Sequence, residues 1–305
     1  MQEKAKHNYI HYINAMRLNR WPRSFSIIVG SLAALYTVGI AGQNFIAIGI
    51  NFVLAFCVTF LICIVNYIIN EIVDAPTDYF HPVKHSRPVV SGNVSIKILL
   101  LIALLFSGIA FTLSLLFFKH FVSISLFALL MMGFLYNIRP IRLKDIHYLD
   151  AVSESANNPI RFLIGWYALD PGQHPTLLYL ICWWAIGAFL MFGKRLSEKK
   201  IFKEDEAKYY RKSLGIYTES ALAKSMVVSS AVFFAAFLIM LINKLNTYNV
   251  LLLPISIVYI IWILYEAWKG KYLIDEPEVI LKQPAFIFLM LLILAFIILS
   301  FFPAP

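Results

Sequence analysis

The sequence predicts an all-α membrane protein whose helices cross the bilayer many times. Apolar residues make up 60% of the 305 residues and charged residues only 14%, so too few charges are present to cover a soluble fold of this size. The apolar residues occur in runs of about 20, the length of helix that crosses a hydrocarbon core about 30 Å thick. These runs lack the alternation of barrel strands, and backbone groups cannot stay unpaired in lipid, so we expect helices. We predict nine spans, at residues 24–42, 45–69, 95–117, 120–137, 148–167, 175–193, 222–242, 249–267 and 283–301.

The distribution of basic residues predicts how these spans are oriented. If the N-terminus is cytoplasmic, only Lys119 and Lys244 of the 26 Lys and Arg residues fall on the outer side, and the C-terminus lies outside. We therefore expect a protein of the cell inner (plasma) membrane with its active site at the cytoplasmic face. The net charge of +9 follows from this placement, so it does not indicate nucleic-acid binding. Cys57, Cys63 and Cys182 are too scattered for a disulfide framework or a zinc site.

A polar stretch, "NEIVDAPTDYFHPVKHSRPVVSG" at residues 70–92, follows the second span. Asn66, Asn70, Asp74 and Asp78 recur every four residues, which places them on one face of a helix that leaves the membrane. Carboxylate and amide oxygens suit Mg²⁺, which binds one or two protein carboxylates and completes its shell with water and phosphate oxygens. Glu71 lies beside Asn70 and is expected to support the site from outside the metal's own ligands.

The alternative for this stretch is a solvated cytoplasmic loop with no chemical role. The four-residue spacing and the nearby cations Lys84 and Arg87 favour instead an anion that a metal bridges to the carboxylates. His81, directly before a proline, is a further candidate for phosphate contact.

A second polar segment, "NIRPIRLKDIHYLDAVSESANNPIRFLIGW", begins at residue 137. Asp150 and Glu154 are four residues apart, and Asn157 follows. Arg161 lies within an apolar span, where an unpaired charge would be costly, so we expect it to have a partner. Two alternatives stay open: Asp150 is a first-turn acid of a helix, and Arg161 pairs with Glu154 rather than contacting substrate.

These motifs carry a family resemblance. "NEIVDAPTD" resembles the Asn-xxx-Asp-xxx-Asp signature of the UbiA superfamily of intramembrane prenyltransferases, and "MRLNRWPRS" at 16–24 resembles their amphipathic motif around a Trp. Four further blocks are similar to the decaprenyl-phosphate phosphoribosyltransferase branch, which transfers phosphoribose from phosphoribosyl diphosphate to decaprenyl phosphate. The blocks are "DYFHPVKHSRPVVSG", "GKRLSEKK" at 193–200, "YRKSLGIYTESAL" at 210–222 and "EPE" at 276–278.

The resemblance implies one UbiA-type domain over residues 1–305, with a first half at about 8–137 and a second at about 138–301. It implies nine helices around a central cavity and Mg²⁺-assisted loss of diphosphate. Together with the residue patterns it predicts Asn70, Asp74 and Asp78 as metal ligands and catalytic residues, with Asp150 as a further catalytic residue. The predicted substrate-binding residues are Arg17, Arg23, His81, Lys84, Arg87, Arg139, Glu154, Asn157, Arg161, Lys194 and Arg195.

Two features depart from the branch pattern and bear on the shape of the pocket: Glu71 stands where an Asp is usual, and "ESANNP" replaces small residues in the second motif. The expected partners are phosphoribosyl diphosphate and a polyprenyl phosphate. The alternative is an isoprenyl diphosphate with an aromatic or other lipid acceptor. A membrane transporter with a metal-dependent anion site is a third hypothesis, but the outward halves of the spans are almost purely apolar.

Overall fold

A computed structural model describes residues 9–39, 42, 44–79, 84–170, 172–201, 211–243 and 247–269, together with six isolated positions between 284 and 295. Helices and loops account for all of these residues, and no strand occurs among them. Eleven α-helices are named here in chain order: α1 (Tyr9–Met16), α2 (Ser26–Val38), α3 (Phe45–Asp78), α4 (Ile96–Phe117), α5 (His120–Asn137), α6 (Leu149–Ser155), α7 (Asn157–Leu169), α8 (Leu177–Ile201), α9 (Lys212–Ile216), α10 (Glu219–Asn243) and α11 (Thr247–Lys269). Short 3₁₀ helices occupy Leu18–Phe25, Lys84–Ser86 and Leu143–Asp145.

Six of the described helices are long and apolar enough to cross a membrane: α3, α4, α5, α8, α10 and α11. The all-helical class and the membrane location are therefore confirmed, but the count of nine is not. The run predicted at 24–42 forms α2, which has only 13 residues. The run at 148–167 is interrupted at Ala156 between α6 and α7, and most of 283–301 lies outside the described residues.

Helix α3 carries the polar motif as a direct continuation of its apolar stretch. It begins after Asn44, whose side-chain oxygen accepts hydrogen bonds from the backbone amides of Ile46 and Ala47 at 3.0 and 3.2 Å. It then runs for 34 residues, about 50 Å, and ends at Asp78. Because the spacing of the polar residues follows the helical repeat, one uninterrupted helix displays all of them.

The chain contains two compact units, and the first comprises residues 1–144 and 160–174. Its core lies along α3: one face packs Ile64, Val65 and Ile68 with residues of α1 and α4, and another packs Val58 and Ile62 with residues of α5 and α7. Helices α2 and α7 approach backbone to backbone at Gly30 and Gly165, where any side chain would collide with a main-chain carbonyl of the other helix. Small residues at helix contacts permit this closeness.

The second unit comprises residues 145–159 and 175–305. Its core unites Ala151 of α6 with Phe189 and Leu196 of α8, Leu222 and Met226 of α10, and Ile263 of α11. The indole nitrogen of Trp184 donates to the carbonyl of Val152 at 3.2 Å, which ties α8 to the short helix α6. This contact holds α6, and hence Asp150, against the longer helices of its own unit.

Candidate active site

The polar face of α3 contains one residue that packs and three that form a cluster. Asn66 donates to the carbonyl of Leu129 at 3.0 Å and lies against Gly133 of α5, where a Cβ would overlap its side chain. Asn66 thus joins two helices. One turn further along, the amide of Asn70 donates to Oδ2 of Asp74 at 2.9 Å, as the four-residue spacing allows.

Asp74 is the centre of this cluster. Its Oδ1 accepts from Nη2 of Arg142 at 3.1 Å and forms an ion pair with Lys144. Asn137, at the end of α5, accepts from Asn70 at 2.7 Å and from Lys144 at 2.9 Å. The cluster therefore combines a helix end with the loop that follows α5.

Two more cations approach the motif from other segments. Arg17 pairs with Oε2 of the buried Glu71, and it also lies 3.4 Å from Oδ1 of Asn70. Arg87 pairs with Asp78, and its Nε lies 4.0 Å from Glu71. Three carboxylates, those of Glu71, Asp74 and Asp78, thus face four cations, a surplus of one positive charge in this set.

The donor set suits a hard cation that also binds phosphate. Among the residues that the structure describes, no group of three or more His, Cys, Asp or Glu is placed to hold a metal by itself. The side chains of Asn70 and Asp74 are adjacent, and Oε1 of Glu71 is buried and accepts no hydrogen bond from any described residue. Since Mg²⁺ uses one or two protein carboxylates and takes its other ligands from water and phosphate, these residues fit it.

Asp150 of α6 is the centre of a separate cluster in the second unit. Its Oδ2 accepts from Nε of Arg195 at 2.8 Å and from Ser213 at 3.0 Å, and Arg211 lies 3.6 Å away. Its Oδ1 accepts from the hydroxyl of Tyr217 at 2.6 Å. Both oxygens of this fully buried carboxylate are therefore engaged.

The residues around Asp150 are themselves held in place. Arg195 is fully buried, and its Nη1 donates to Glu198 at 2.6 Å. The hydroxyl of Tyr217 accepts from the backbone amide of Tyr148 at 2.8 Å, and the ring of His147 lies 4.1 Å from the Tyr217 ring. Burial, and next the charge and hydrogen bond of Asp150, raise the pKa of Tyr217 above its usual range. Tyr217 consequently stays protonated as a donor at neutral pH.

Unusual backbone conformations mark both clusters. Among the described residues, three non-glycine residues have a positive φ: Arg17 (52°), Arg142 (36°) and Tyr148 (63°). Arg17 and Arg142 contact the acids of α3, and Tyr148 donates to Tyr217. Left-handed backbone at non-glycine residues is costly and concentrates at functional sites, because the surrounding contacts must hold it.

The structure brings together only part of the predicted set. Arg17 and Arg87 lie at the α3 cluster and Arg195 at the Asp150 cluster, whereas Arg139 is exposed at the end of α5. Glu154, Asn157 and Lys194 are half-buried, and Arg161 is buried beside Cys63, to which its Nη2 donates at 3.7 Å. His81 and the side chain of Lys84 lie outside the described residues.

Sequence reasoning missed the side chains that complete each cluster. Asn137, Arg142 and Lys144 complete the first, and Arg211, Ser213 and Tyr217 complete the second. Arg142 and Lys144 lie in a basic segment, but nothing in their spacing indicates that they, rather than Arg139, contact the acids of α3. The "YRKSLGIYTESAL" block did contain the three residues that reach Asp150.

Six apolar helices and an acidic helix end surrounded by cations define an integral membrane protein with a polar site suited to an anionic ligand. The sequence profile of the UbiA prenyltransferase family matches residues 27–286. The chain belongs to this family and is an enzyme of the transferase type.

Solved structures share the fold over nearly the whole chain. A UbiA homolog from Archaeoglobus fulgidus bound to DMAPP and Mg²⁺ has a TM-score of 0.72 and 15% identity, covering 95% of this chain and 98% of that one. A UbiA homolog from Aeropyrum pernix K1 has a TM-score of 0.66 and 16% identity, with coverage of 92% and 98%. A digeranylgeranylglyceryl phosphate synthase has a TM-score of 0.65 and 17% identity, with coverage of 95% and 97%. No curated protein matches the chain in sequence.

Proposed function

We propose that this enzyme transfers 5-phosphoribose from phosphoribosyl diphosphate to a polyprenyl phosphate, with Mg²⁺ as cofactor. The observation that carries the diphosphate chemistry is the α3 cluster, in which Arg17, Arg87, Arg142 and Lys144 surround the acids at the end of a membrane helix. The choice of donor rests on the sequence blocks similar to the phosphoribosyl branch. The Mg²⁺ bound to the A. fulgidus homolog supports the cofactor.

The cations of the α3 cluster are suited to receive the charge of a leaving group. In the transfer, the bond from the anomeric carbon to the diphosphate oxygen breaks, and a phosphate oxygen of the acceptor bonds to that carbon. Arg17, Arg87, Arg142 and Lys144 donate to the departing diphosphate, whose negative charge grows as the bond breaks. Asn70, Asp74 and Asp78 would hold Mg²⁺, which supplies further neutralisation of the diphosphate when bound.

The acceptor needs no strong general base in this reaction. A lipid phosphate is already anionic at neutral pH, so its oxygen attacks without first losing a proton. This agrees with the α3 cluster, in which each of the three carboxylates is paired with a cation.

The contacts around Asp150 change the roles proposed for two residues. Arg195 is buried between Asp150 and Glu198, so we assign it, with Asp150, to positioning the segment 211–217. The neighbouring Lys194 is half-buried and remains our candidate for the 5-phosphate of the donor.

We further propose that the N-terminus and the α3 cluster face the cytoplasm and that the C-terminus lies outside. The distribution of Lys and Arg supports this orientation. In a variant without native cysteines, an impermeant thiol reagent added to intact cells should label cysteines introduced at 168–175 and spare those at 79–86. Labelling at position 82 from outside would overturn the orientation.

A prenyltransferase is the second candidate function. The observation that favours it is that the A. fulgidus homolog binds DMAPP in one structure and GPP in another. In this function the same α3 cluster would receive the diphosphate of an isoprenyl donor, and the acceptor would be an aromatic or other lipid molecule.

Labelled donors separate the two functions. Purified enzyme with Mg²⁺ and a polyprenyl phosphate should convert labelled phosphoribosyl diphosphate to a lipid-soluble product and leave geranylgeranyl diphosphate unchanged. Asp78→Asn provides the matched inactive control, since it removes one acid of the cluster. Transfer from geranylgeranyl diphosphate to an aromatic acceptor, with no use of phosphoribosyl diphosphate, would replace the first proposal by the second.

A further inference from the structure

Two side-chain amides, one turn apart, join α3 to the end of α5. Asn66 donates to the carbonyl of Leu129 at 3.0 Å and lies directly against Gly133, where a Cβ would overlap its side chain. One turn further along both helices, Nδ2 of Asn70 donates to Oδ1 of Asn137 at 2.7 Å. The absence of a side chain at Gly133 leaves room for this close contact between the helices, which brings Asn137 within reach of the acidic motif.

The neighbours of Asn137 determine which way its amide group faces. Its Nδ2 donates to the carbonyl of Gly133 at 2.9 Å, and its Oδ1 accepts from Nζ of Lys144 at 2.9 Å. An ammonium group only donates and a carbonyl only accepts, so a reversed amide would lose both hydrogen bonds. Asn137 and Lys144 are each 4% exposed, and unmade hydrogen bonds are costly at such burial. The oxygen of Asn137 is therefore fixed toward Lys144.

Asn137 also closes a ring of four side chains. Lys144 forms its ion pair with Oδ1 of Asp74, whose Oδ2 accepts from Nδ2 of Asn70 at 2.9 Å. The same Nδ2 of Asn70 donates its second hydrogen to Oδ1 of Asn137, the oxygen that accepts from Lys144. Because the stem of a lysine is flexible, two fixed acceptors restrict the position of its ammonium group more than one acceptor does.

We propose that Asn137 is a positioning residue that holds the ammonium group of Lys144 where the diphosphate of the donor binds. This inference rests on the proposed function, in which Lys144 donates to the departing diphosphate, and it applies to either donor because both release diphosphate. When a ligand loosens the pair between Lys144 and Asp74, the acceptor on α5 keeps the ammonium group in place. As a neutral amide, Asn137 does so without adding a negative charge that would repel diphosphate.

A double-mutant cycle on diphosphate affinity tests this role. Calorimetry with inorganic diphosphate and Mg²⁺ is performed on the detergent-purified wild type, Asn137→Leu, Lys144→Met and the variant with both changes. Lys144→Met should weaken diphosphate binding by about tenfold or more, and Asn137→Leu by about two- to tenfold. Because Asn137 acts through Lys144, the double variant should bind no more weakly than Lys144→Met alone.

Asn66→Leu is the matched control for this cycle. It removes the other amide between α3 and α5, one turn from Asn137, and should leave diphosphate affinity unchanged although it lowers the unfolding temperature. Asn137→Ser is a milder second variant. A serine in this helix can still donate to the carbonyl four residues before it, as Ser125 does to Phe121 at 2.8 Å, but its short side chain would not reach Lys144. It should therefore lose affinity as Asn137→Leu does.

Three results would overturn the inference. They are wild-type diphosphate affinity in Asn137→Ser or Lys144→Met, losses that multiply in the double variant, or an equal loss in Asn66→Leu. Multiplied losses would show that the two residues act independently, and an equal loss in the control would show that weaker packing of α3 on α5 is the cause. If Asn137→Leu does not fold, Asn137→Ser takes its place in the cycle. The proposed function fails separately: the expected cycle without transfer from phosphoribosyl diphosphate would refute the donor and retain the role of Asn137.

Discussion

Asp74 and Asp150 occupy clusters built from the same kinds of residue, but they differ in their access to a ligand. The side chain of Asp74 is 17% exposed and that of its partner Arg142 is 13% exposed, whereas Asp150 and Arg195 are 0% and 1% exposed. Asp74 and Arg142 are therefore partly open to a metal or a substrate, whereas Lys144, the other cation paired with Asp74, is buried. Asp150 is closed to a ligand, because Arg195, Ser213 and Tyr217 already occupy both of its oxygens.

The difference shows that acids at helical spacing do not by themselves identify a catalytic group. In the first cluster, a ligand can rearrange the partly exposed pair of Asp74 and Arg142 at a lower cost than a fully buried pair. In the second, removing one partner would leave a buried charge uncompensated. We therefore propose that the α3 cluster binds ligand and that the Asp150 cluster holds the segment 211–217 on its own unit.

The largest expected effect is on stability, at Asp150. Asp150→Asn replaces a charge acceptor by an amide that cannot satisfy both Arg195 and Tyr217, so unfolding should become easier by about 3–5 kcal/mol. Thermal unfolding of the detergent-purified protein measures the change. Glu219→Gln is the control, since Glu219 is half exposed and lies 3.7 Å from Lys200, and such a pair contributes at most about 1 kcal/mol. Equal shifts in unfolding temperature in the two variants would show that the buried Asp150 and the exposed Glu219 contribute equally to stability, contrary to this prediction.

The next largest effect is on catalysis, at Asp74. Asp74→Asn should reduce turnover of the active donor by about 10²–10³, the usual cost of losing one transition-state charge contact. Its thermal shift should be smaller than that of Asp150→Asn. Turnover close to the wild-type value, with Mg²⁺ still required, would place the metal elsewhere. A thermal shift as large as that of Asp150→Asn would show that Asp74 is structural.

The smallest of the three effects belongs to Tyr217. Tyr217→Phe removes a hydrogen bond to a buried carboxylate and should cost about 1.5–3 kcal/mol of stability. Because the pKa of Tyr217 is raised in the folded protein, this contribution is complete below pH about 10, the value of an unfolded tyrosine, and is lost as the pH rises further. The gap in unfolding temperature between wild type and variant should be constant from pH 7 to 9 and should narrow above pH 10. A gap that changes between pH 7 and 9 would contradict this assignment.

Local patterns predicted the motif on α3 better than they predicted its surroundings. The contact between Asn70 and Asp74 spans four residues, so the geometry of one helix determines it. Asn66 belongs to the same pattern, yet it packs against Gly133 because α5 approaches at that level. The sequence gives no reason to prefer Arg142 to Arg139 as the ion-pair partner of Asp74. Only the course of the loop after α5 brings Arg142 to Asp74.

The sequence by itself determined that this is a helical membrane protein with a polar motif at the end of α3, because hydrophobic run length and the helical repeat are local properties of the chain. Tertiary structure alone decided which charges meet. Arg142 and Asp74 are 68 residues apart, Arg195 and Asp150 are 45 apart, and Tyr217 and Asp150 are 67 apart. Packing of whole helices sets such pairs and the burial of each acid, and it is burial that separates an exchangeable ion pair from a permanent one.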